Sequence, residues 1–229
     1  MRNSIAKYRL AATMAVGVVL ALLASTEPSF AGLPSVDRHS AGPSCEGGGN
    51  VLPAVAQPKG YSLSKMGRVF APFNVTDHSG TPPRTPFQAL YTSATNNNTF
   101  VVRPGTMLYV PVFYNNDSPP AVGQIPDVTD RQALLAYFYS PLQFGTEYTI
   151  ITVDGKDTVL GPEYLVGLYF QSPLPDTAQS YMTVAGFLTP LKKGTHKVGI
   201  SARAAGADIL ALTGGQPFEF SLEYTVIVR

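Results

Sequence analysis

The sequence predicts an all-β fold, an antiparallel β-sandwich of jelly-roll or immunoglobulin-like kind with one short packed helix. Three observations carry this expectation. Residues 217–228 read PFEFSLEYTVIV, with Phe218, Phe220, Leu222, Tyr224, Val226 and Val228 on one parity and Glu219, Ser221, Glu223 and Thr225 on the other. Side chains alternate faces along a strand, so this strand has an oily face and a wet one, and the oily face needs a second layer. From Lys59 onward, turn signals recur every roughly 8–15 residues between runs rich in Val, Ile, Thr, Tyr and Phe, the spacing of a sandwich. A single convincing helical stretch, residues 130–139, interrupts them.

Taken in order, residues 68–75, RVFAPFNV, read as a first strand, with Pro72 pushing it to an edge or a bulge. Residues 87–92 add a short strand. Asn96, Asn97 and Asn98 turn into 99–103, and Pro104-Gly105 turns into 106–114, TMLYVPVFY. Both parities of that last run are apolar, which predicts burial on both faces. Residues 115–127, NNDSPPAVGQIPD, form a polar loop long enough to suggest function. The helix follows. Thr129 and Gln132 make a capping box, Asp127 and Asp130 suit a helix start, and Ala133, Leu134, Tyr137 and Phe138 recur at helical spacing. Ser140-Pro141 ends it.

Residues 146–153 and 156–160 flank Asp154-Gly155, a type I′ hairpin signal because both turn residues need positive φ. Further strands are expected at 164–170, 181–188 and 195–203. Residues 204–216 are small and Gly-rich and read as a loop into the last strand. That strand is expected to pair with 195–203 and to place Phe218, Phe220, Leu222 and Tyr224 in the core. Phe220→Asp is then expected to unfold the domain by burying an unpaired charge.

The N-terminus sets the compartment. Arg2, Lys7 and Arg9 precede the apolar run 10–24, and Ser29-Phe30-Ala31 follows. This is the layout of a secretory signal peptide, residues 1–31, cleaved near Ala31. The run is shorter than the about 20 residues a membrane span needs. A secreted protein, periplasmic or extracellular, with no transmembrane segment after cleavage is expected. Residues 32–58 contain PSCEGGGN and read as a flexible Gly/Pro/Ser linker, and 59–229 as a single sandwich domain. Cys45 is the only cysteine, so no intrachain disulfide forms and a free thiol on the linker is expected. The chain has 16 basic and 15 acidic residues; removing a leader that holds Arg2, Lys7 and Arg9 against Glu27 turns the balance to about −1. With no basic surplus, nucleic acid is excluded as a partner.

The order of PGTMLYVPV, DRQALLAYF, ITVDGKDT, TPLKKGTHKV and FEFSLEYTVIV resembles an uncharacterised group of exported bacterial β-sandwich proteins. The resemblance covers the second half of the chain. It implies the sandwich and the export, and no activity. Members of that group have a Trp-rich N-terminal part; this chain has no Trp, so nothing carries over there.

Catalytic patterns are sparse. His39, His78 and His196 are dispersed, and no His or Cys pair has metal-ligand spacing. No G-x-S-x-G elbow occurs. Glu219 and Glu223 sit about 13 Å apart by strand rise, too far for an acid/base pair. The first expectation is a non-enzymatic, secreted or envelope-associated interaction module without a cofactor, contacting a protein or glycan at the cell surface. Tyr114, Tyr137 and Tyr139 are the candidate ligand-contacting aromatics. A second reading is a carbohydrate-binding or Ca²⁺-dependent module using the 115–130 loop, with Asn115, Asp117, Asp127 and Asp130 as oxygen ligands. A third is a hydrolase whose site forms only in three dimensions; the observation that bears on all three is whether His196, Asp154 or the Asn115 loop lines the largest cleft.

Overall fold

Apolar parities decide which of these stretches become strands and what covers them. The structure is a computed structural model and describes residues 50–229. The expected leader, Cys45, His39 and most of the expected linker lie outside the described residues. The order of elements is α1 (Leu63–Asn74), β1 (Gln88–Ala89), β2 (Thr99–Val102), β3 (Leu108–Asn116), α2 (Arg131–Tyr139), β4 (Thr146–Val153), β5 (Lys156–Val159), β6 (Leu165–Tyr169), β7 (Ser180–Leu188), β8 (Gly194–Ala204), α3 (Ala207–Thr213) and β9 (Phe218–Val228). Two sheets pack together, ordered β1-β3-β7-β6 and β2-β9-β8-β4-β5. The fold is therefore a mostly-β sandwich. It departs from the expected antiparallel one in two pairings, since β1 runs parallel to β3 and β2 parallel to β9.

Among the described residues three α-helices are present where one helix was expected. Residues 68–75 are not a strand but the greater part of α1. The Ser62 hydroxyl caps the helix by accepting from the Lys65 N–H. Leu63, Met66, Gly67, Phe70, Ala71, Phe73 and Asn74 then form one buried stripe at helical spacing. Pro72 sits inside the helix and forfeits one backbone bond near its end, a cost that the buried stripe outweighs. The stripe covers the outer side of the four-stranded sheet. Phe70 meets Tyr109 edge-on at 5.7 Å, and Asn74 donates to the Tyr181 hydroxyl at 2.8 Å. This second layer of cover is why β3 is buried on both faces, as its apolar parities predict.

α2 forms as predicted. Its cap is Asp130, which accepts from the N–H groups of Gln132 and Ala133, while the Thr129 hydroxyl is turned back onto Asp127. α3 lies inside the stretch read as a loop. Its Ile209 is buried and Gly214, at φ 71°, closes it in the left-handed conformation. The β4–β5 hairpin turns through Asp154 at φ 49° and Gly155 at φ 81°, as its Asp-Gly requires. Residues 50–58 are bound to the sandwich and are not linker. Val51 bridges to Leu188, the Leu52 N–H donates to Phe187, and the Tyr164 hydroxyl donates to the Leu52 carbonyl. Among the described residues no helix is long and apolar enough to cross a membrane.

The core between the sheets centres on aromatic contacts. Phe113 of β3 packs against Phe138 of α2, Phe144 and Phe218 at 5.9, 5.3 and 6.0 Å. The five-stranded sheet contributes Ile151, Val198, Ile200, Tyr224, Val226 and Val228. Its outer face carries the exposed Glu219, Ser221 and Glu223 of β9.

Candidate functional site

The ends of a sheet expose unpaired backbone groups, and a protein ordinarily blocks them with short strands, Pro, Lys or covering loops. Most edges here are treated this way. β1 has two residues and β5 four, the latter opening with Lys156. Along β6, Arg131 donates to the carbonyls of Leu165 and Pro162, Arg68 donates to that of Tyr169, and the Val128 backbone lies against Gly167. β9 is different. It pairs with β8 along its whole length, Phe218 to Val228, but β2 flanks only Thr225 to Val228. Among the described residues, no strand pairs with the other side of Phe218 to Tyr224, which is therefore an open side.

This geometry corrects the expectation for the last strand. Tyr224, Val226 and Val228 are buried, but Phe218, Phe220 and Leu222 are only half-buried. β2 is too short to flank them. Phe218 contacts Phe113 at 6.0 Å and Phe220 at 5.7 Å, so the row is ordered but incompletely covered. Phe220→Asp would place its charge at a half-open edge and not in a sealed core.

The wet face of the same strand is held rigidly. Arg203 of β8 joins Glu147 and Glu219 at 2.7 and 2.8 Å, and the Tyr148 hydroxyl donates to Glu219 at 2.7 Å. The Tyr148 hydrogen bond and Arg203 hold the Glu219 carboxyl below its ordinary range. Further along, Lys197 pairs with Glu223 at 2.7 Å. The acids of β9 are thus engaged with β8 and β4.

His196 and Asp154, named separately in the sequence, do meet. The His196 Nδ1 lies 2.7 Å from Asp154 Oδ2, and its Nε2 lies 2.9 Å from the Lys192 carbonyl. Both ring nitrogens face acceptors, so the imidazolium satisfies both and no basic nitrogen is left for general-base chemistry. The Asp154 hydrogen bond raises the His196 pKa above its ordinary value, against burial and with help from the Lys192 carbonyl. Burial would raise Asp154, yet the hydrogen bonds from His196 and the Lys197 N–H leave it lowered. The sign follows by linkage. The raised His196 contributes stability that is fully present below about pH 6.5 and is lost as pH rises through its folded-state value. The lowered Asp154 contributes above its ordinary range and is lost as pH falls through its folded-state value. Urea midpoints should fall between pH 6 and pH 8 in the native chain, and His196→Gln should flatten that slope. An unchanged slope in the variant would assign it to other groups.

The remaining predicted site residues are not assembled. Tyr114 is buried and stacks on Tyr181 at 5.4 Å. Tyr137 is buried, its hydroxyl donating to the Val122 carbonyl and accepting from Asn115. Neither offers a ring face to a ligand. Tyr139 is half-buried against Phe138, and burial pushes its hydroxyl up to about 12. The proposed oxygen ligands serve local structure. Asp117 accepts from the N–H groups of Gln179 and Ser180, Asp127 from Thr129, and Asp130 caps α2. Among the described residues no group of three or more His, Cys, Asp or Glu side chains gathers for a metal.

His78 is buried. It stacks on Phe73 at 4.8 Å and its Nδ1 lies 2.7 Å from the Thr92 carbonyl. The cavity beside it, lined also by Asn74, Tyr91, Tyr114 and Tyr224, measures about 20 Å³, room for about one water. A shallower groove of about 460 Å³ runs outside it between Val69, Pro72 and Phe73 of α1 and residues 76–83.

No family model matches this chain, and no curated protein matches it. Among solved structures, the solution structure of amebosin aligns over 63% of this chain and 100% of its own, at 13% identity and a TM-score of 0.30. A likeness of that size carries no argument about fold or function.

Proposed function

We propose that this chain is an exported, envelope-associated interaction module that takes an extended segment of a partner protein along the open side of β9. The observation that supports the reading is the contrast among edges. Those of β1, β5 and β6 are short or blocked, whereas Phe218 to Tyr224 carries no Lys and no Pro and pairs on one side only among the described residues. Backbone groups on such an edge accept a further strand, and the half-buried Phe218, Phe220 and Leu222 give it an apolar flank to rest on. The leader pattern and the resemblance to exported bacterial β-proteins support the compartment.

Of the two sandwich types, the immunoglobulin-like one is favoured. With β1, β3, β7 and β6 read as A, B, E and D, and β9, β8, β4 and β5 as G, F, C and C′, the two sheet orders coincide with that plan. The parallel β1–β3 pairing and the single cysteine are departures from it.

Hydrogen exchange tests the reading. Adding a cell-surface protein fraction should slow exchange of the amides between Phe218 and Tyr224 at least tenfold. Phe220→Asp should remove that protection while the free protein loses only about 1 kcal/mol of stability. Unprotected edge amides, or protection that survives Phe220→Asp, would exclude strand addition here.

A further inference from the structure

Cations without a partner cluster at one end of the five-stranded sheet. Arg84, Arg103, Lys156, Lys192, Lys193 and Arg229 are the described cations whose side chains make no hydrogen bond, ion pair or ring contact. Four of them meet at one end of the five-stranded sheet. Gly194 pairs with Val228 and Val102 with Val228, which brings Lys192 and Lys193, Arg229 and Arg103 onto three adjacent strand ends. Lys156 opens the β4–β5 hairpin on the same side. All five are exposed. The acids nearest in register are already engaged. Asp154 holds His196, Asp157 accepts from Thr152, and Glu223 holds Lys197. The His196 Nε2 also lies 2.9 Å from the Lys192 carbonyl, which ties the turn that presents the two lysines to β8.

The other end, about 35 Å away by strand rise, is acidic. Asp117 and Asp176 lie at the β3 and β7 ends, Glu147 and Glu219 at the starts of β4 and β9, and Asp208 in α3, with Arg203 among them. The chain enters at the basic end. Asn50 exchanges hydrogen bonds with Thr189, three residues before Lys192.

We infer that the basic end, Arg103, Lys156, Lys192, Lys193 and Arg229, seats the domain on an anionic lipid surface. Charge complementarity favours that side, where the exposed cations cluster. The seating leaves the acidic end and the open run of β9 directed away from the bilayer. Flexible, unpaired Lys and Arg side chains are the groups that adsorb to acidic headgroups, each strengthening binding roughly fivefold at low salt.

Vesicle sedimentation with the full chain tests this. Vesicles of phosphatidylcholine alone are compared with vesicles containing phosphatidylglycerol, at low and high salt. The triple variant Arg103→Gln/Lys192→Gln/Lys193→Gln should lose on the order of a hundredfold in affinity for the acidic vesicles. It should keep the native melting temperature, since none of the three side chains has a partner. Lys65→Gln/Arg68→Gln on α1 should change vesicle affinity far less per charge. Both variants share the rest of the chain, so any lipid affinity it has cancels. Equal losses per charge in the two variants, or native-like vesicle binding by the triple variant, would overturn the inference. So would a triple variant that loses only its affinity for soluble dextran sulfate, which would assign the end to a free polyanion.

Discussion

Gly206→Val is expected to destabilise the domain by about 3 kcal/mol or more, the upper range for forcing atoms into a packed site. A Cβ on Gly206 would lie 2.1 Å from the Gln143 carbonyl oxygen, 2.5 Å from the Phe144 carbonyl carbon and 2.7 Å from the Gly145 nitrogen. All three are backbone atoms and cannot rotate aside. The reciprocal position is equally tight, since a Cβ on Gly145 would lie 2.4 Å from the Gly206 nitrogen, and Gly145 holds φ 66°. The two connections, β3–β4 and β8–β9, are laced by four backbone bonds. The N–H groups of Ala205, Gly206, Ala207 and Asp208 donate to the carbonyls of Gly145, Phe144, Pro141 and Gln143. Valine must part these strands of backbone and break several of the bonds together. Urea unfolding would measure the loss, and a change below about 1 kcal/mol would show that the two connections can separate cheaply.

Phe138→Ala is expected to cost about 3–5 kcal/mol, the range for removing a buried phenyl ring. Phe138 is fully buried, stacks on Phe144 with rings 5.2 Å apart and 5° from parallel, and touches Phe113 at 5.9 Å. These contacts fasten α2 to β3 and to the start of β4. Alanine leaves a hole that the flanking rings cannot fill without losing their own contacts. Phe138→Leu should restore a good part of the loss. If leucine and alanine are equally harmful, the ring stacking and not the cavity sets the cost.

Most strands were legible because their alternation is local. Residues 99–102, 146–153 and 195–203 needed only side-chain parity and their turn residues to be placed. α2 was legible for the same reason, with Asp130 and Ser140 bounding a periodic run. α1 was not, because Pro72 and the β-formers Val69 and Phe70 argue for a strand in isolation. The competing stripe of Leu63, Met66, Phe70 and Phe73 gains its value only when the four-stranded sheet lies beneath it. α3 carried a signal that was passed over: Ile209, Leu210 and Leu212 precede Gly214-Gly215, a helix and its stop. The candidate site was the least legible part. Tyrosine composition does not reveal that Tyr114 and Tyr137 face inward. The open side of β9 depends on how far β2 extends beside it, a pairing between residues more than a hundred positions apart.

That pairing also governs the order in which the chain can be completed. β9 sits between β8 and β2, and Thr99 finds its neighbour only at Thr225. A chain emerging from a ribosome or a translocation pore has β2 early and β9 last. Until β9 arrives, β2 has no place in the five-stranded sheet and β8 keeps a bare side. Such late, long-range closure is slow and leaves apolar edges exposed. The five-stranded sheet therefore closes only once β9 has been made.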